Sequence, residues 1–154
     1  MIKAVLIQNP LVWYNPETWL YALIRLATGS RWNHAAIYVD NEDGKKFVID
    51  ANFHGVVIKN REGLYPNLKR TIAVLTIPTE VGEEILRDRL SAQHGRKYDY
   101  AIYLRYFFPF LGKSKNKLYC FALLGKIWKE QIPQDKKILT GKDFEKYITY
   151  YINI

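Results

Sequence analysis

Pro78 separates two kinds of residue pattern, and that division constrains the fold more than any single residue does. Before it, residues 2–8, 34–40, 46–51, 55–59 and 69–77 read as strands, with Asn41-Glu42-Asp43-Gly44 as turn chemistry between the second and third. One helix interrupts them. Asn15 can cap it, Pro16 suits its first position, Leu20, Leu23, Ile24 and Ala27 fall at helical spacing, and Gly29 ends it. After Pro78 the pattern is helical. Thr79 can cap a helix to about Gln93 with Gly95 beyond it, and Asp99 a short aromatic helix stopped by Pro109. Asn116 can cap a helix through Leu124 and Trp128, and Thr140 a last one with Asp143 at the capping-box position. Strands gathered in one half and helices in the other predict an α+β fold built on an antiparallel sheet.

A length of 154 residues, with no repeat, linker or break in composition, predicts a single domain over 1–154. At 49% hydrophobic and 25% charged, the composition excludes a disordered chain. The formal charge of +8 would suit nucleic acid, an anionic lipid surface or an acidic wall polymer. The basic residues are scattered, however, and the densest run, residues 113–117, is too short for an arm, so nucleic acid is disfavoured. Residues 98–111 are too short and too charged, with Asp99 and Arg105, to span a bilayer. Residues 1–10 lack the apolar length of a signal peptide, so a cytoplasmic location is expected. A single cysteine excludes an intrachain disulfide and a zinc site of several thiolates. Without an HExxH spacing, a Walker loop or a GxGxxG, no metal or organic cofactor is expected.

Cysteine chemistry needs a thiolate, a nearby imidazole and a group that orients the imidazole. Cys120 is the only thiol, close to a predicted helix start where amide groups and the helix dipole favour an anion. A lone cysteine is more often a small buried hydrophobe, so position alone does not assign it. His34 opens a strand beside two alanines, which leave room for a partner. Asp50 lies among Val48, Ile49 and Ala51, where a carboxylate is out of place unless it is paired. His54, in a loop, and His94, at a helix end, read as structural or solvated.

These segments together resemble the circularly permuted branch of the NlpC-type papain-fold superfamily, which includes YiiX-like bacterial proteins and lecithin:retinol acyltransferase-like enzymes. Residues 23–34, ending Thr28-Gly29-Ser30-Arg31-Trp32-Asn33-His34, are similar to that family's helix, turn and histidine strand. Val48-Ile49-Asp50-Ala51 resembles the strand of the third polar residue, and Gly55-Val56-Val57 the strand after it. Gly95-Arg96-Lys97-Tyr98-Asp99 resembles a helix entry, Leu118-Tyr119-Cys120 the nucleophile helix, and Thr140-Gly141-Lys142-Asp143 a late helix start. The likeness covers roughly residues 3–145 and accounts for the order His, Asp, Cys. Two positions depart from it: Phe121-Ala122 stand where the family often has Ser-Glu, and the third residue is Asp rather than His or Glu.

The resemblance implies a papain-like thiol hydrolase or acyltransferase with Cys120, His34 and Asp50 as a catalytic triad. It implies an amide or ester substrate in a peptide, a cell-wall peptide or a lipid, attacked to give a thioester acyl-enzyme. Tyr98 and Tyr119 are candidates for substrate or oxyanion contacts. A non-catalytic binding protein keeping the same fold is the alternative. The triad requires His34 and Asp50 on one face of the 34–51 hairpin. The expected register sets Asp50 directly opposite His34, Val48 opposite Ala36 and Lys46 opposite Tyr38.

Overall fold

The computed structural model describes all residues except 53, 61–69, 109, 113–115, 133–137 and 154. Its architecture is α+β, with a six-stranded antiparallel sheet and four helices. The strands are β1 (Ile2–Gln8), β2 (His34–Asp40), β3 (Lys46–Asn52), β4 (Gly55–Asn60), β5 (Thr71–Leu75) and β8 (Ile148–Asn153). Their order is β4-β3-β2-β1-β5-β8. A second, two-stranded parallel sheet joins β6 (Lys97–Tyr98) to β7 (Lys117–Leu118). The helices are α1 (Pro16–Thr28), α2 (Glu83–Ser91), α3 (Ala101–Phe107) and α4 (Cys120–Ile127).

The early strands and α1 follow the sequence pattern closely. α1 starts at Pro16 and ends before Gly29, whose φ of 58° is the left-handed geometry that closes a helix without a Cβ clash. Side chains then carry the chain into β2. The Thr28 hydroxyl accepts from the Ser30 amide, and the Ser30 hydroxyl accepts from the Trp32 amide. Asn33 exchanges two hydrogen bonds with the Asn9 backbone, so the residue just before His34 is anchored to the end of β1.

The second half departs from the expected boundaries, each time for a local reason. α2 begins at Glu83 rather than after Thr79, because the Thr79 hydroxyl accepts from the Val81 amide in a tight turn of its own. Asp99 does not cap α3 with its side chain; the carboxylate pairs with the buried guanidinium of Arg105, which also donates to the Gly112 carbonyl. α3 ends at Phe107, and the expected stop, Pro109, lies outside the described residues, as does residue 69 of the expected fifth strand. Asn116 caps nothing, since the chain first runs as β7 and α4 opens at Cys120 itself. Thr140 and Asp143 do make capping-box contacts, Thr140 amide to Asp143 carboxylate at 2.7 Å. Two short 3-10 turns follow instead of a helix, and the chain then becomes β8, an aromatic and β-branched run, Ile148-Thr149-Tyr150-Tyr151-Ile152, that pairs with β5.

Two apolar clusters hold the sheet. On one face Ala4, Leu6, Ala35 and Ile37 pack with Phe121, Leu123, Leu124 and Ile127 of α4. On the other, Val5, Ile7, Ala36, Val48, Ile72 and Val74 form a smaller cluster. The start of β4 is stitched to the segment entering β6 by Val56 amide to Arg96 carbonyl at 2.8 Å and Gly95 amide to Val56 carbonyl at 3.0 Å. Gly55 makes this approach possible, with a φ of 102° and a position where an added Cβ would stand 2.4 Å from the Arg96 carbonyl oxygen. Gly55→Ala should therefore cost about 2–3 kcal/mol from backbone strain and displacement of that carbonyl. Urea denaturation measures it; an unchanged midpoint would mean that this junction is looser than described.

Candidate active site

His34 opens β2 and Asp50 stands near the end of β3, so both lie at one end of the sheet. The hairpin register places Asp50 opposite Ala36, Val48 opposite Tyr38 and Lys46 opposite Asp40. This corrects the expected direct pairing of Asp50 with His34 by one two-residue step. The step follows from the 41–45 turn, where the Asn41 amide meets the Lys45 carbonyl and Gly44 adopts a φ of 79°. Side-chain facing survives, because a two-residue shift keeps each residue on its face. His34 Nε2 and Asp50 Oδ1 approach to 2.6 Å, the length of a charge-assisted bond.

Asp50 is fully buried, and its other oxygen, Oδ2, accepts from Asn52 Nδ2 at 3.1 Å. Asn52 is two residues along the same strand and hence on the same face as Asp50, which was the available sequence signal for it. With Nε2 engaged by the carboxylate, Nδ1 is the ring nitrogen left for a second partner. The Cys120 sulfur is close enough to act on the same imidazole electrostatically. Burial pulls the His34 imidazole down, but the Asp50 carboxylate, then the Cys120 sulfur, outweigh it by charge and hydrogen bonding and hold it well above an ordinary histidine.

Strand alternation puts His34 on the face of the smaller cluster, with Ala36, whereas α4 packs on the opposite face, with Ala35 and Ile37. β2 and α4 meet at the end of the sheet where both start, with Cys120 buried in the α4 cluster. Cys120 is the first residue of α4, closer to the helix terminus than expected, so amides not bonded within the helix surround it.

Tyrosines crowd this meeting point. Tyr98 and Tyr103 bring their hydroxyls to 3.1 Å of each other. Tyr21 of α1 lies with its ring centroid 6.4 Å from that of His34. Burial pushes the Tyr103 phenol up to about 12 and raises Tyr98 and Tyr106 as well, the Cys120 sulfur adding to each. All three are neutral donors near neutral pH. Tyr98, expected as a substrate or oxyanion contact, is buried with its hydroxyl held against that of Tyr103. Tyr119 does not offer its hydroxyl in the same way: that oxygen accepts from the Leu139 amide at 2.8 Å and donates to the Leu139 carbonyl at 3.3 Å. Its role in the structure is to moor the 139–140 segment beside α4. Tyr21, Tyr103 and Tyr106 were not singled out in the sequence, because nothing in helical spacing says which side of α1 or α3 meets a residue far along the chain.

Among the described residues, no group of three or more His, Cys, Asp or Glu is placed to hold a metal ion, and no helix is long and apolar enough to cross a membrane. Comparison with protein-family models and with curated proteins finds no match to this chain.

Proposed function

We propose that this chain is a cysteine-dependent hydrolase or acyltransferase of permuted, papain-like architecture, acting on an amide or ester bond through a thioester. The observation that carries this reading is the His34–Asp50 pair at 2.6 Å, with the Cys120 sulfur acting on the same imidazole from the first residue of a helix. A paired carboxylate, an imidazole raised by it and a thiol near that imidazole are what nucleophilic cysteine chemistry requires.

In the proposed reaction the Cys120 proton passes to His34 Nδ1, and the thiolate forms a carbon–sulfur bond to the substrate carbonyl. Asp50 fixes the ring tautomer and offsets the imidazolium charge. The negative oxygen of the tetrahedral intermediate is met by amides at the start of α4, with the neutral phenols of Tyr98 and Tyr103 as further donors. Collapse breaks the carbon–nitrogen or carbon–oxygen bond, and the leaving amine or alcohol takes the proton from His34. Water, or an acceptor amine or hydroxyl, then gives its proton to His34 and attacks the thioester. This releases the acyl group and restores the thiol. The substrate is a peptide, a cell-wall peptide or a lipid, and a chain with one unpaired thiol is suited to the reducing cytoplasm.

Alkylation by iodoacetamide across the neutral range tests the site without a known substrate. Native Cys120 should react near neutral pH at least about tenfold faster than in His34→Ala or His34→Gln. In those variants the rate should rise only above about pH 8, as for an ordinary thiol. Superimposable pH–rate curves for the three proteins would leave Cys120 a structural residue and the chain a binding protein.

A further inference from the structure

Twelve of the seventeen large apolar side chains exposed among the described residues fall in two short segments, residues 11–26 and 100–111. The first segment leads into and forms most of α1; the second forms α3 and continues past it, and α1 packs against α3. On α1 the exposed residues Trp19, Leu23 and Leu26 follow i, i+4, i+7 spacing, one stripe of a helix. On α3 Leu104 and Phe107 lie on a second stripe, with Tyr100 one turn before them. Trp13, its ring tilted against that of Trp19 at 5.0 Å, extends the first stripe, and Phe110, against Phe108 at 5.9 Å, extends the second. Isolated exposed apolar residues are ordinary; two adjoining helices each presenting a stripe are not.

The composition and charge of this face select its occupant. Trp, Tyr and Phe are the side chains that settle at the water–lipid boundary. Among the described residues of 97–117, Lys97 and Lys117 are exposed, and the one acid, Asp99, is paired with buried Arg105. The acids gather elsewhere: Glu42, Asp43, Glu83 and Glu84 line a pocket beside the 41–45 turn, at the sheet end opposite His34. At that far end Glu83 is paired with Arg87 and the N-terminus and Asp43 with Lys45, whereas the Cys120 end carries the exposed aromatic side chains together with exposed Lys97 and Lys117, in a chain of net charge +8. We infer that the outer faces of α1 and α3 dock on an anionic lipid bilayer at headgroup depth, with the Cys120–His34 end turned to the membrane. The same helices present Tyr21 and Tyr103 to the thiol and imidazole, so docking would place the cleft beside the lipid surface.

The inference goes beyond the thiol chemistry and is tested apart from it. Sedimentation with vesicles of phosphatidylcholine, alone or with about 30% phosphatidylglycerol, measures binding. Strong binding is expected only to the anionic vesicles, weakening with salt. Tryptophan emission should shift to the blue on binding, and since Trp32 and Trp128 are buried, the shift reports Trp13 and Trp19. Leu26 and Phe110 are each 78% exposed, so Leu26→Glu with Phe110→Glu should fold normally. This pair should weaken vesicle binding by at least about tenfold. Cys120→Ala should bind vesicles as the native chain does, whatever becomes of the catalytic reading. Absence of vesicle binding, or equal binding by the double variant, overturns the inference. So does a dimer in vesicle-free buffer that the same two substitutions dissociate, which would assign the face to a second copy of the chain.

Discussion

Cys120→Ala should abolish turnover of any substrate the native chain processes, with a loss of at least about 10⁴-fold, while the fold persists. The rate loss follows because no second thiol exists in the chain to form the acyl-enzyme. The fold should persist because the change removes one sulfur from the margin of the core, at the first residue of α4, where helix packing is carried by Phe121, Leu123, Leu124 and Ile127. A stability change within about 1–2 kcal/mol is expected. Circular dichroism and a urea titration check the fold, and a turnover assay on a verified substrate checks the chemistry. Hydrolysis persisting at the native rate would remove Cys120 from the mechanism.

Asp50→Asn should be nearly as damaging, and its signature lies in the pH dependence. His34 in the folded chain is held above its ordinary value, the Asp50 charge being the largest of the upward influences that overcome burial. A histidine raised on folding contributes stability that is complete below its unfolded value of about 6.5, and loses it as pH rises through the folded value. Asparagine removes the charge, and burial of the ring then weighs more heavily. The native chain should exceed the variant by about 3 kcal/mol below pH 6.5, with the gap closing as the solution becomes alkaline. Urea midpoints measured across that range give the comparison; a gap independent of pH would mean that His34 is not protonated by this pairing. Turnover of a verified substrate should fall by about 10³–10⁴-fold, because the amide no longer secures the required tautomer.

The hairpin was largely legible in the sequence because its determinants are local. Asp50 between Ile49 and Ala51 demanded a partner, and strand alternation limited that partner to one face. The register itself depended on the 41–45 turn, whose five-residue span shifts the pairing by two and leaves Asp50 diagonal to His34. The early strands were placed within a residue or two, since their apolar runs are bounded by Gly, Pro and Asn. The second half was harder, because its caps compete with other bonds. Asp99 goes to Arg105, Thr79 to its own turn, and Asn116 precedes a two-residue strand that only its β6 partner reveals. The Thr140–Asp143 motif is present and is followed by a strand, because Ile148-Thr149-Tyr150-Tyr151 finds an open edge on β5. Of the candidate site, the His34–Asp50 pair was readable because a buried carboxylate needs a partner, while Cys120 was read from residue type and position. Asn52 was readable by periodicity, and the tyrosines of α1 and α3 only by tertiary packing.

The spacing of the site along the chain also sets an order of assembly. His34 and Asp50 belong to one hairpin and are sixteen residues apart, so closing that pair is a short-range event. Cys120 comes seventy residues after Asp50, and β8, which completes the sheet, comes later still. As the chain leaves the ribosome, His34 and Asp50 can be paired before Cys120 has been made. Cys120 joins them only when α4 closes against β2 and β3, a long-range step. On the proposed reading, a nascent or partly folded chain lacks the assembled site, which is acquired together with the native fold.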